Sequence, residues 1–169
     1  MQAVRDPLTG LFNRHYMEES LEREIRRAER RYTSLGVIML DIDHFQRFND
    51  RYGADAGDTL LKEISVFLQG HIRGEDIACR YGGEEMVLIL PDAGLEGTLG
   101  RAESLRSRIS QLVVRRLNEP LEAVTVSMGV AIYPDHGDAA EALLRAAEAA
   151  LAAAKQEGRD RVVAGQRMG

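Results

Sequence analysis

Met17, Leu21, Ile25, Ala28 and Tyr32 recur at helical spacing, with Glu22, Arg23, Arg26, Arg27, Glu29, Arg30 and Arg31 between them. This predicts an amphipathic first helix with a solvated, charged outer face. Leu35 to Leu40 is an unbroken apolar run that stops at Asp41-Ile42-Asp43, the pattern of a strand covered on both faces with acids just past its end. A short helix is expected around Phe45 to Tyr52. A longer one follows from about Asp58 through Leu61, Ile64, Phe67 and Leu68 to Ile72, with Asp58 as its N-cap. Ile77 to Cys79 and Met86 to Leu90 are short apolar stretches, and Arg80-Tyr81-Gly82-Gly83-Glu84-Glu85 between them reads as a β-hairpin with acids at its tip.

After Pro91-Asp92, the spacing of Leu95, Leu99, Ala102, Leu105, Ile109 and Leu112 predicts a helix of about 20 residues. Val124, Val126, Met128, Val130 and Ile132 then alternate with smaller residues as a strand closed by Pro134 to Gly137. The alanine-rich stretch from Ala139 to Ala154 keeps Leu143, Leu144, Ala147 and Leu151 in helical register. Its low complexity therefore means helix propensity, and Gly158 ends it. A short last strand is expected near Arg161 to Ala164. An order of helix, strand, two helices, two strands, helix, strand, helix, strand favours an α+β fold with a mostly antiparallel sheet over a doubly wound one.

Composition narrows the function. A chain of 169 residues with 44% hydrophobic content suits one globular domain with a sizeable core. A net charge of -5 argues against a broad surface for a nucleic-acid polymer or an anionic membrane, while a local basic pocket for a phosphorylated ligand stays open. Cys79 is the only cysteine and lies in an apolar stretch, the pattern of a buried thiol in a reducing compartment, so a cytoplasmic domain is expected. No apolar run approaches the about 20 residues that span a bilayer. The four histidines, His15, His44, His71 and His136, are scattered and predict no zinc site.

On its residue types alone, the hairpin is the candidate seat of chemistry. Gly82 and Gly83 permit backbone angles and close approaches that a side chain forbids, and adjacent acids suit hard cations. If the first strand pairs beside the hairpin, Asp41, Glu84 and Glu85 converge. Packed carboxylates repel unless a cation neutralises them, and Mg2+ commonly keeps substrate phosphates among its oxygen ligands.

The Gly82-Gly83-Glu84-Glu85-Met86 turn resembles the GGDEF signature of diguanylate cyclases, and the similarity runs from Asp6 to about Val162. Asp6-Pro7-Leu8-Thr9-Gly10-Leu11-Phe12-Asn13-Arg14 resembles the segment ahead of that family's first helix, and Ser127-Met128-Gly129-Val130-Ala131 one of its strands. The resemblance implies a central five-stranded, mostly antiparallel sheet flanked by helices, related to the polymerase palm and to nucleotide cyclases. It implies a single GGDEF catalytic domain over residues 1–169, with its core at about 6–164. It also implies an origin in a longer, sensor-linked protein that is membrane-anchored in some cases.

By the same resemblance, Asp41, the carbonyl of Ile42 and Glu84 hold metal, and Glu84 or Glu85 deprotonates or positions a 3′-hydroxyl. Two Mg2+ ions per GTP, with Mn2+ as a substitute, would lie about 3.5 to 4 Å apart and serve an in-line phosphoryl displacement. Asn49 and Asp58, eight and seventeen residues after Asp41, match guanine-contacting positions. Read alone, Asn49 ends the short helix and Asp58 caps the next. Lys155 and Arg159 match a phosphate-contacting pair, expected one helical turn apart on a shared face. Arg73-Gly74-Glu75-Asp76 has the form and placement of the family's product-inhibition site for cyclic di-GMP, with Arg73 and Asp76 as its contacts.

The implied reaction joins two GTP into cyclic di-GMP and two pyrophosphates, in a homodimer whose two domains face each other. The chain departs from the pattern at Gln46, where a lysine is common, and at Ala54, where a histidine is common. Both fall in the nucleotide region. Glu148, Ala152 and Met86 are milder departures. The alternatives are a regulatory module that binds cyclic di-GMP or GTP without turnover, and another nucleotidyl cyclase or polymerase-like enzyme.

Overall fold

The computed structural model describes residues 3–168, so Met1, Gln2 and Gly169 of the expected 1–169 domain lie outside the described residues. Its organising element is strand β1 (Leu35–Ile42), every residue of which is buried. On one side β1 pairs antiparallel with β3 (Glu85–Pro91), itself paired antiparallel with β2 (Ile77–Gly82). On its other side lies β6 (Val126–Tyr133), also antiparallel, and the short β7 (Val162–Ala164) adds a parallel edge. The five-stranded order is β2-β3-β1-β6-β7.

Both faces of this sheet are covered, which is why β1 reads as a continuous apolar run. Val37 and Met39, with Val87, Ile89 and Ala131, pack against Met17, Leu21 and Ile25 of α1 (Arg14–Arg31) and Leu143, Ala147 and Leu151 of α5 (Ala140–Gln156). Ile38 and Leu40, with Met86, Leu88, Met128 and Val130, face the other way. They pack against Phe48 of α2 (Phe45–Tyr52), Leu60, Leu61 and Ile64 of α3 (Ala54–Gly70), and Ala102 and Leu105 of α4 (Leu95–Ile109). The α+β architecture and mostly antiparallel sheet expected from the sequence are present. No helix among the described residues is long and apolar enough to cross a membrane.

Three local expectations are corrected. Tyr32 does not continue the α1 stripe: it caps the helix in the left-handed conformation and is 96% exposed. Asp58 is not an N-cap, because α3 starts four residues earlier. Gly53, at φ 94°, closes α2 and opens α3 in one residue, a conformation that favours glycine. α4 ends at Ile109, three residues short of Leu112. A small hairpin of β4 (Arg115–Arg116) and β5 (Glu119–Pro120) follows that helix. Leu117 and Asn118 turn it with positive φ, without the Asn-Gly pair that marks such turns in sequence.

Gly129 on β6 lies directly beneath the α5 backbone at Ala147, Ala150 and Leu151. A side chain there must push a helix off the sheet. Gly129→Val is expected to destabilise the fold by at least about 2 kcal/mol, the scale of core overpacking, read as a lower urea midpoint with unchanged slope. Burial pushes the Cys79 thiol up to about 12. The folded protein should therefore resist iodoacetamide at pH 8 and be labelled rapidly in guanidinium, by thiol counting.

Candidate active site

The end of β1 brings the candidate residues together. Asp41 is the last residue of β1 in register with β3, directly opposite Glu85, with Ser127 of β6 on its other side. Side chains of directly opposed residues share a face of the sheet. Glu84 sits in the two-residue turn with Gly83, and its carbonyl accepts a 3.4 Å hydrogen bond from the Ile42 amide. Gly83 has φ 51°, and a Cβ built on Gly82 or Gly83 would meet nothing within 4 Å. The turn is thus open above both glycines.

Arg80 braces this turn from behind. Its Nε donates to the Gly83 carbonyl at 3.0 Å and its guanidinium pairs with Asp6 at 3.3 Å. Burial pushes the Asp6 carboxyl up, but its bonds from Thr9 and the Arg80 charge outweigh that and hold it below the usual range. The segment ahead of α1 is thereby tied to the glycine turn through Arg80.

Asp41 is 5% exposed, and the Lys155 ammonium from the last turn of α5 donates to its Oδ2. Burial drives the Asp41 pKa up, Lys155 pulls it down, and the like charges of Glu84 and Asp43 push it up again, for a net rise. Glu85 is raised for kindred reasons: burial first, then the Asp41 charge, with Lys155 opposing and Glu84 and Glu148 adding. Glu85, Glu148 and Lys155 line a cleft of about 260 Å³ with Met39, Leu151 and Ala152.

The expected convergence of three carboxylates is met only in part. Asp41 and Glu85 are in register, with Glu84 in the adjoining turn. Among the described residues, no group of three or more His, Cys, Asp or Glu side chains is arranged to hold a metal ion. Lys155 instead supplies the positive charge at Asp41. The donor types nonetheless fit a hard divalent cation, since two carboxylates and the Ile42 carbonyl offer only oxygen. Burial is the main reason the Asp41 pKa is raised, and the lesser part that comes from the Glu84 and Asp43 charges is what such an ion would relieve.

The shared helix face expected for Lys155 and Arg159 is not observed. α5 stops at Gln156, Gly158 takes φ 121°, and Arg159 lies past the helix at φ 64°. Its amide bonds the Ala154 carbonyl at 2.9 Å, a Schellman-type termination that turns the chain back. Asp43 secures that turn. Its buried carboxylate accepts from Thr125 Oγ1 and Ser127 Oγ, both at 2.7 Å, and from the Asp160 amide at 3.1 Å. Asp43 therefore ties β1, β6 and the Arg159 turn together.

Asn49, in the last turn of α2, and Asp58, in the second turn of α3, are carried by the two helices that meet at Gly53. Asn49 Oδ1 is buried without a hydrogen-bond partner, while Asp58 is exposed. Gln46 points along its own helix and donates to Asp50 at 2.9 Å. Arg73 and Asp76 lie apart from all of these, in the loop that enters the opposite end of β2. The Asp76 side chain is 1% exposed and accepts from the Arg73 amide at 2.8 Å and from Arg101 at 2.6 Å, which pins the loop to α4.

Sequence reasoning gave no role to Asp43, Glu148 or Arg101. Glu148 was within reach of it, because seven residues before Lys155 is two turns along the same face of α5. Asp43 and Arg101 had no such cue, since their partners are distant in the chain. Asp43→Ala is expected to leave two hydroxyls and one amide without their acceptor, at a cost of about 2 to 4 kcal/mol in urea denaturation.

Known proteins resemble this arrangement closely. Residues 3–161 match the family described as diguanylate cyclase, GGDEF domain. The response regulator PleD of Caulobacter vibrioides is 41% identical over 163 residues, 95% of this chain and 36% of PleD. Diguanylate cyclase DosC of Escherichia coli K12 is 37% identical over 157 residues, 93% of this chain and 34% of DosC. The chain thus spans about a third of the length of these curated relatives. The crystal structure of the GGDEF domain of DgcB from Caulobacter crescentus in complex with c-di-GMP superposes with a TM-score of 0.91 at 35% identity, covering 97% of this chain and 94% of that one. The active GGEEF domain of a diguanylate cyclase from Vibrio cholerae gives a TM-score of 0.84 at 28% identity, over 92% of this chain and 98% of that one. With a family match over nearly its whole length, relatives at 37 to 41% identity and the same fold as solved GGDEF domains, this chain belongs to the diguanylate cyclase GGDEF-domain family.

Proposed function

We propose that this domain is a working diguanylate cyclase, condensing two GTP into cyclic di-GMP and two pyrophosphates. The observation that carries the reading is the acid pair Asp41 and Glu85 held in register beside Glu84, with Lys155 reaching in from α5. Asp41, the Ile42 carbonyl and Glu84 would hold a divalent cation, Mg2+ or Mn2+, two per GTP site. Bound there, it would neutralise the phosphate charge and favour ionisation of the attacking hydroxyl.

The protein's own groups divide the remaining work. Lys155 exchanges its Asp41 bond for a phosphate oxygen, and Arg159, which has no ion pair among the described residues, clamps the same phosphates as a fork. Asn49 and Asp58 orient guanine, the Asp58 carboxylate accepting from its N1-H and 2-amino groups. Glu85, with its pKa raised, receives or positions the proton of the 3′-hydroxyl. That oxygen forms a bond to the α-phosphorus of the facing GTP while the bond to pyrophosphate breaks. Each domain supplies one nucleotide, so catalysis needs a homodimer of facing domains.

GTP supply and the lone buried thiol suit a cytoplasmic setting. Because the curated relatives are about three times longer, a sensor module joined to this domain is part of the proposal. Arg73 and Asp76 would bind cyclic di-GMP for feedback. A second reading is a domain that binds nucleotide without turnover. It is favoured by Gln46, whose amide is engaged with Asp50 where the family commonly has a lysine.

The test incubates GTP and Mg2+ with the purified domain, with Glu84→Ala, and with a form dimerised through an added coiled coil, and separates the products by chromatography. Cyclic di-GMP from the parent and at least about a hundredfold less from Glu84→Ala, with unchanged melting, is the expected result. No product from the forced dimer, with cyclic di-GMP still bound, would replace the cyclase with the binding module.

A further inference from the structure

Gly57 has helical backbone angles that any residue adopts, and it sits in the first turns of α3, where alanine is the better helix former. Conformation therefore does not explain a glycine there. Its surroundings do. A Cβ at this position would collide with Asn49 Oδ1, lying 2.8 Å from Asn49 Cγ and 3.2 Å from Asn49 Nδ2. These three nearest atoms all belong to one side chain, so a methyl group at residue 57 has one direct consequence: Asn49 must leave its place.

That place is defined by backbone links as well as by the gap. The Asn49 carbonyl accepts from the Gly53 amide at 2.7 Å, and the Gly53 carbonyl accepts from the Gly57 amide at 3.2 Å. The corner between α2 and α3 thus brings residue 57 under residue 49 through two consecutive hydrogen bonds. The Asn49 amide lies with Oδ1 sealed against Gly57 and unpartnered. The Nδ2 end is the one left to meet an acceptor on a ligand. A buried polar atom without a protein partner is costly, so the protein's own hydrogen bonds to Oδ1 do not account for where this amide lies.

We propose that Gly57 is a positioning residue that sets guanine specificity: the absence of its side chain is what lets Asn49 lie flat between α2 and α3 and present its amide to the base. This rests on the reading of Asn49 as a guanine contact. Residue 57 touches no nucleotide itself and acts only through residue 49.

The experiment is a double-mutant cycle on the whole protein with Gly57→Ala, Asn49→Ala and the pair. Binding of 3′-deoxy-GTP, which lacks the attacking hydroxyl and so is not cyclised, is followed by calorimetry in Mg2+, with 3′-deoxy-ATP as the comparison. Gly57→Ala is expected to weaken 3′-deoxy-GTP by about tenfold and to narrow the preference over 3′-deoxy-ATP, with a melting midpoint equal to or above the parent's. In the Asn49→Ala background the same substitution should change binding by less than about twofold. The Asn49 side-chain amide resonances should move in Gly57→Ala, a readout independent of binding.

Parent-like binding by Gly57→Ala when Asn49→Ala is weakened overturns the inference and leaves the guanine role standing. So does a Gly57→Ala penalty that persists without Asn49, or Asn49 resonances that stay in place. Parent-like binding by Asn49→Ala removes its guanine role and this inference with it. A parent that binds no 3′-deoxy-GTP overturns the nucleotide reading beneath both.

Discussion

The antiparallel register of β1 between β3 and β6 is the constraint from which the rest of the molecule follows. Leu35 pairs with Pro91 and Tyr133, and the ladder runs without a slip until Asp41 stands between Glu85 and Ser127. A shift by one residue would send Val37 and Met39 to the face now filled by Ile38 and Leu40, exchanging two packed cores. Because both faces are covered, the register is specified twice over. The placement of the two acids opposite each other is a by-product of that double packing, and core hydrophobics hold the site's geometry from a distance.

Charge at the strand end is arranged in tension. Asp41 is buried and Glu85 partly so; the pKa values of both are raised first by burial and then by neighbouring carboxylates, and Lys155 is the cation that opposes the rise at each. A site of this kind is poised for exchange: a metal ion or phosphate can take over the contacts that the ammonium and carboxylate now make. Asp43, two residues along, is the opposite case. Three hydrogen bonds satisfy its carboxylate and convert it into a joint between β1, β6 and the turn that carries Arg159. Asp41 has one side-chain partner, Lys155, while Asp43 is held by three hydrogen bonds that serve the architecture.

The same contrast separates the two clusters named in the sequence. Around the glycine turn, side chains are open or held by exchangeable partners, and nothing stands over Gly82 or Gly83. At the far end of β2, Asp76 is buried on Arg101, so a ligand there meets Arg73 at the surface and a carboxylate already engaged. Engagement of Asp76 by a second arginine ties the loop to α4 and couples any ligand at this loop to that helix.

The chain by itself determined the strand ending in Asp41, the hairpin at Gly82-Gly83, the amphipathic α1 and α5, and the family, since these depend on period and on short contiguous motifs. Local chemistry also ended α5 just before Gly158, yet the consequence for Arg159 escaped the helical spacing rule, because a left-handed turn there reverses the chain. Tertiary structure alone decided that Arg101 holds Asp76, that Asp43 is a joint, and that Gly57 makes room for Asn49. Each of those facts is a contact between elements whose meeting is dictated by how two faces of one sheet are filled. Periodicity along a chain states which face of an element is apolar; which neighbour fills it is settled only when all the faces are buried together.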